Sequence, residues 1–359
     1  MRCAHATIAA AILLALVGHS EAAEPPFALA TEEFMVDAGD PGVQLYVRNK
    51  HPVDLTQVPS GHVLLYVHGA TQPSEATFDL QLEGLSWMDY IASRGWDVYL
   101  MDARGYGGST RSPELLQSDA IEAPIVSTDI KVRDAEAVIG FILKRRGEPR
   151  ISLLGWSWGT IVVGAYAATH TDKVGSLVLH APVWCQGSCE FDPHLAEARS
   201  DSSETRRELG LVVESSMEGA RNRMQAGVPY DRRDELLPLE SFAAWSAAAL
   251  ATDPVGAAQA PPVLRVPPGV NQDSQASWGQ GKSYYDPGKI TAPTLVVVAE
   301  WDDSTPPDGA KALHDSLANS SDRRFVELKE GSHMMLLEKN RMSLFEAVQQ
   351  FLDTASAPH

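Results

Sequence analysis

From residue 151 to residue 169 the chain runs from the apolar stretch Ile151-Ser-Leu-Leu through Gly155-Trp156-Ser157-Trp158-Gly159 and directly into a helix-forming segment. No other stretch restricts the fold as tightly. Gly-x-Ser-x-Gly in a loop is common and carries little information. Between a strand and a helix it describes a sharp turn that presents one serine, with glycines two residues to either side where a Cβ would crowd the bend. The plainer reading is a glycine-rich turn closing a β-strand–helix unit, and residues elsewhere in the chain must decide between the two.

The flanking sequence alternates in type. A strand pair is expected at 33–38 and 43–49, followed by a strand at 62–67. Leu80, Leu82, Leu85, Met88 and Ile91 suggest a helix, and 96–101 reads as a strand. A helix at 125–144, a strand at 151–154, a helix at 159–169 and a strand at 176–179 follow. The pattern breaks over 183–288, where helices are expected at 204–225 and 239–251 between proline-rich connections. It resumes with strands at 294–299 and 324–328 and helices at 309–318 and 339–354. Apolar strands separated by helices imply an α/β fold, a mostly parallel central sheet flanked by helices with an antiparallel pair at its edge. The core is expected to comprise 24–182 and 289–359. The segment 183–288 should form a mainly helical cap over the carboxyl ends of the strands, where open parallel sheets bind ligands.

The N-terminus is of another kind. Met1-Arg2 precedes an uncharged run, Ala6 to Val17, and Ser20-Glu21-Ala22-Ala23 offers small residues at a cleavage-compatible spacing. The run is shorter than the roughly 20 residues of a membrane-spanning helix, so 1–23 is expected to be a signal peptide and the mature protein to carry no membrane span. Export to the periplasm or the extracellular space follows. Its removal takes away one base, Arg2, and one acid, Glu21, so the net charge of −18 belongs to the mature protein. That sign disfavours nucleic acid, and a hydrophobic content of 44% excludes a disordered chain. Of the three cysteines, Cys3 leaves with the signal; Cys185 and Cys189 are expected to form a disulfide at the start of the cap. No metal-binding spacing is present, and neither metal nor cofactor is expected.

A serine hydroxyl needs a base, itself oriented by an acid. The strand at 294–299 runs into Glu300-Trp301-Asp302-Asp303-Ser304-Thr305-Pro306, and the last strand is followed by Gly331-Ser332-His333. Ser157, Asp302 and His333 therefore fall at the ends of three strands, in the order serine, acid, histidine.

With these residues in place, the chain resembles the α/β-hydrolase fold family, in the branch whose cap follows the sixth strand. His68-Gly69 looks like the family's oxyanion-loop His-Gly, and Asp102-Ala103-Arg104-Gly105-Tyr106-Gly107-Gly108-Ser109 is similar to its D-x-R-G-x-G-x-S turn. Asp302 matches the acid because Pro306 lies four residues on, although Ala299 stands where the family has glycine; Asp303 is the competitor. The resemblance implies a Ser157, Asp302, His333 triad with oxyanion donors at the backbone N–H groups of Trp158 and Ala70. Thr71 offers a further hydroxyl, and Trp156 and Trp184 a substrate wall, with Trp245 and Trp278 contributed by the cap. His68, Asp102 and Arg104 are expected to order loops, and His180 to be packed and hydrogen-bonded.

The implied activity is an exported serine esterase acting on a small-molecule carboxylic ester. An aminopeptidase or amidase of the proline-iminopeptidase type is the alternative, for which Glu204 and Glu208 would have to hold a substrate amine. A non-catalytic binding protein on the same fold is a third reading. Oligomeric state is left open.

Overall fold

A computed structural model describes residues 28–184 and 209–355. The expected signal peptide, Cys185, Cys189, Glu204 and Glu208 lie outside the described residues. β1 (Leu29–Asp37) and β2 (Gln44–Pro52) pair antiparallel from end to end and form one edge of an eight-stranded sheet. β2 also pairs antiparallel with β4 (Asp97–Met101). Beyond it β3 (Val63–Val67), β6 (Ile151–Trp156), β7 (Val174–His180), β11 (Thr294–Ala299) and β12 (Arg323–Leu328) run parallel, in the spatial order β1-β2-β4-β3-β6-β7-β11-β12. Every residue of β3, β4, β6 and β11 is buried. That is why these strands read as continuous apolar runs and not as alternating ones.

Helices cover both faces. α1 (Ser74–Phe78) and α2 (Trp87–Ala92) follow β3, α3 (Thr128–Arg146) precedes β6, and α4 (Trp158–Thr169) follows it. α10 (Pro307–Ser316) and α11 (Arg341–Ala355) complete the core. Of the single helix expected across Leu80–Ile91 only the end forms, as α2; before it the chain makes a tight turn closed by a bridge between Leu82 and Leu85. Glu83 and Gly84 take positive φ values of 54° and 78°, and Ser86 opens α2 through a capping box with Asp89. Local turn chemistry overrides the apolar spacing.

The cap differs from expectation at its start. Among the described residues of the span 204–225 only α5 (Met217–Met224) is helical; β8 (Leu209–Leu211) pairs with β5 (Glu122–Pro124) and β9 (Val213–Ser216) with β10 (Val263–Val266). The β-branched pair Val212-Val213 favours extended backbone, and Ser216 caps α5 by accepting from the Gly219 N–H at 3.1 Å. α6 (Arg233–Leu236), α7 (Leu239–Ala251), α8 (Pro254–Ala257) and α9 (Val270–Ala276) supply the helical part, and α7 spans the residues expected of it. No helix among the described residues is long and apolar enough to cross a membrane.

Candidate active site

The turn from β6 to α4 lies in the middle of the sheet. Gly155 sits between Val67 of β3 and Leu179 of β7, and a Cβ there would approach the Gly159 carbonyl oxygen to 2.5 Å. At Gly159 a Cβ would come within 2.1 Å of the Val67 carbonyl oxygen. Gly155 is therefore required by the close approach of the first turn of α4, and Gly159 by that of β3. Between them Ser157 adopts φ 54° and ψ −125°, a conformation rare for a residue with a side chain, and its N–H donates to the His180 carbonyl at 3.0 Å.

Asp302 follows β11 and His333 follows β12. His333 Nε2 lies 3.0 Å from Ser157 Oγ, and its Nδ1 lies 3.0 and 2.9 Å from the two carboxylate oxygens of Asp302. Since a carboxylate accepts, Nδ1 carries the proton and Nε2 is left to accept from the serine. Asp302 is buried, whereas Asp303 faces solvent.

Thr305, which the sequence did not single out, completes this arrangement. Its N–H and its Oγ1 each donate to Asp302 at 2.7 Å, so the carboxylate is held from both sides before the imidazole meets it. The signal was present: a Thr three residues after an Asp at a loop–helix junction is placed for such a turn. The loop before His333 has its own support. The Ser332 N–H donates to the buried Glu338 carboxyl at 3.1 Å, and Ser332 Oγ also contacts both Glu338 and the Met224 carbonyl of the cap. Burial pushes the Glu338 carboxyl up to about 7, with the charge of Asp302 adding to the effect.

The region around Ser157 is a cavity of about 180 Å³. Ala70, Thr71, Trp156 and Trp158 line it from the core, and Met224, Trp245 and Trp278 close it from the cap. Trp245 Nε1 donates to Gln72 Oε1 at 3.2 Å, one of the polar ties between cap and core. The Trp156 indole donates to the His333 carbonyl at 3.2 Å. Thr71 takes φ 60°, an outlier for a β-branched residue, so the loop opposite Ser157 is as tightly bent as the serine turn itself.

Trp184 does not belong to this wall. It packs on Tyr285, with ring centroids 5.6 Å apart, and lines a separate cleft with Tyr284 and Pro287. Its neighbour Val183 lines the serine cavity in its place, with its N–H donating to Thr160 Oγ1 of α4 at 3.1 Å. His180 is packed as expected, edge-on to Trp87, but neither ring nitrogen has a hydrogen-bond partner among the described residues. Burial, and the proximity of His333, push its pKa down to about 3, so it stays neutral.

The loop-ordering residues are where they were expected. His68 Nδ1 bonds the Gly69 carbonyl at 2.7 Å and its Nε2 accepts from the Ala103 N–H at 3.1 Å. Asp102 accepts from the Ser74 and Gly108 N–H groups at 2.8 and 3.0 Å, while Arg104 pairs with Asp134 and Asp40. No group of three or more His, Cys, Asp or Glu residues poised for a metal occurs among the described residues.

A family model described as alpha/beta hydrolase fold matches residues 62–340. Solved structures of similar shape include a bromoperoxidase from Bacillus anthracis, with a TM-score of 0.60 at 17% identity over 90% of this chain and 100% of that one. A thermophilic esterase from Thermogutta terrifontis gives 0.56 at 19% identity, covering 91% and 100%. A serine hydrolase involved in carbazole degradation gives 0.57 at 19% identity, covering 90% and 100%. At such identities the likeness shows the fold alone. No curated protein matches the chain.

Proposed function

Because this chain belongs to the α/β-hydrolase fold family, we propose that it is a serine hydrolase that cleaves a small carboxylic ester through an acyl-enzyme intermediate. The observation that carries this reading is the unbroken chain from Ser157 Oγ through His333 to the doubly held carboxylate of Asp302. Ser157 Oγ attacks the ester carbonyl carbon as His333 Nε2 takes its proton. The tetrahedral oxyanion is met by the N–H groups of Trp158 and Ala70, and the imidazolium returns the proton to the departing alkoxide. Water then repeats the sequence on the acyl-enzyme and releases the acid. Asp302 holds the imidazole in the tautomer this requires and stabilises its charged form.

The cavity supports a small substrate. At about 180 Å³ it is of the order of a space that holds one benzene ring, and its walls are tryptophan and methionine. Export is part of the proposal: residues 1–23 direct the protein out of the cytoplasm, and Cys185 and Cys189 are joined there.

The purified protein offered nitrophenyl esters and aminoacyl amides side by side is expected to turn over the esters, and a fluorophosphonate probe to label it but not S157A. Turnover of amides alone would replace the esterase by a peptidase, and an unlabelled parent would remove the triad mechanism. N-terminal sequencing of exported material, expected to begin at residue 24, checks the signal peptide.

A further inference from the structure

The face of α3 that meets the sheet is apolar at Ala135, Val138, Ile139 and Ile142, yet Lys131 lies on the same face with no exposed surface. Taking an ammonium group fully out of water is costly, and Met would fill the position without that cost. No carboxylate lies within ion-pair distance of it among the described residues. Its contacts are instead with the two segments that border Ser157. Nζ donates to the His68 carbonyl at 2.6 Å, lies 3.5 Å from the Gly69 carbonyl oxygen, and sits 4.1 Å from the centre of the Trp158 ring.

Gly69 and Ala70 share one planar trans peptide, in which the C=O of Gly69 and the N–H of Ala70 point in opposite directions. The Gly69 carbonyl is held on the buried side by His68 Nδ1 at 2.7 Å and by the approach of Lys131. The Ala70 N–H must then point away from Lys131, and Ala70 lines the cavity. On the other side of the site the same ammonium group packs against the ring of Trp158, whose own N–H is the second donor. Thr71 at φ 60° shows that this loop is bent against its local preference and needs external restraint.

We propose that Lys131 is a positioning residue of the oxyanion site, holding the Ala70 and Trp158 N–H groups in register from behind. The inference rests on the serine-hydrolase reading above. Burial lowers the pKa of Lys131 well below that of a free lysine, while Asp102 and Asp134 pull it back up; burial, with the neighbouring Lys131 adding to it, lowers that of His68 well below the ordinary imidazole value.

The test is K131M, nearly the same in volume, assayed on nitrophenyl acetate and on an aryl boronic acid that adds to Ser157 as a tetrahedral anion. A 10- to 100-fold fall in kcat is expected, with KM within about threefold of the parent and boronate affinity falling by the same factor as kcat. K131Q, which keeps an N–H for the His68 carbonyl, should recover a large part of both. A folded K131M with parental kcat and boronate affinity overturns the proposal, and so does a K131Q no better than K131M. If K131M does not fold, K131A with and without propylammonium decides: saturable recovery of kcat supports the role, and none overturns it. A parent that neither hydrolyses esters nor takes the fluorophosphonate label fails the serine-hydrolase reading itself, whereas an active parent with an indifferent Lys131 fails this inference alone.

Discussion

The sheet and the cap build their halves of the cavity by different means. On the sheet side, position is set by backbone conformation and by hydrogen bonds that leave little freedom: Ser157 at φ 54° between two obligatory glycines, and Asp302 held by Thr305 through two 2.7 Å bonds. On the cap side, Met224, Trp245 and Trp278 meet the cavity through apolar contact. Their polar ties to the core are few, among them Trp245 to Gln72 and the Met224 carbonyl to Ser332. Packing tolerates changes in shape far better than a proton-transfer chain tolerates changes in distance. The sheet should therefore control whether the reaction occurs, and the cap which acyl group it occurs on.

The largest effects should fall on the sheet side. S157A is expected to lower kcat by about 10⁶-fold and H333A by a similar factor, because the two groups act as a unit. The double variant S157A/H333A should then be no worse than either alone, and additive losses would break the unit. D302N should cost about 10⁴-fold by presenting an amide where the imidazole needs an acceptor, whereas D303N, at an exposed position, should leave steady-state rates near those of the parent. An equal loss in D303N would reassign the acid.

The difference between the halves also explains what could be read in advance. The strands, the serine turn, Asp302 and His333 were legible because each rests on local rules: buried parallel strands are apolar throughout, and the close approach at Gly155 and Gly159 admits no side chain. Thr305 and Lys131 left fainter traces, a hydroxyl three residues past an aspartate and a cation in an apolar helical stripe. The cap resisted. Its first strand pairs with β5, far away in sequence, and periodicity within 204–225 contains nothing about that partner. Trp184 was misplaced for the same reason. A tryptophan just after a strand end can turn to either side of α4, and packing against Tyr285 decided it.

A smaller effect tests the junction between the halves. Glu338 has its pKa raised from the ordinary glutamate value near 4.5 to about 7. Between those values the folded protein binds a proton that the unfolded chain has released, so stability must fall as pH rises through this window and level off above it. The geometry agrees. The one Ser332 hydroxyl proton can serve either the Met224 carbonyl or Glu338, and a protonated Glu338 lets Ser332 Oγ donate to the cap while accepting from the carboxyl. E338Q cannot ionise. Its melting temperature relative to the parent should rise from pH 5 to pH 8, by the equivalent of at most about 3 kcal/mol. A difference constant with pH would mean that Glu338 is charged throughout.

The smallest effect expected is on the cap wall, and it is the one that most sharpens the division of labour. Trp278 is buried and lines the cavity with its neighbours from the core, but it makes no hydrogen bond to the serine, histidine or aspartate among the described contacts. W278A removes a large part of the wall of a cavity only about 180 Å³ in volume. Longer acyl chains should gain on the acetyl ester by about tenfold in relative kcat/KM, the scale on which a pocket senses one or two methylenes. Burst kinetics with a series of nitrophenyl esters separates acylation from release and reads this ratio directly. A uniform loss across the series, with no shift in chain-length preference, would mean that the cap tryptophan serves the geometry of the chemical step, and the separation between sheet and cap would not hold.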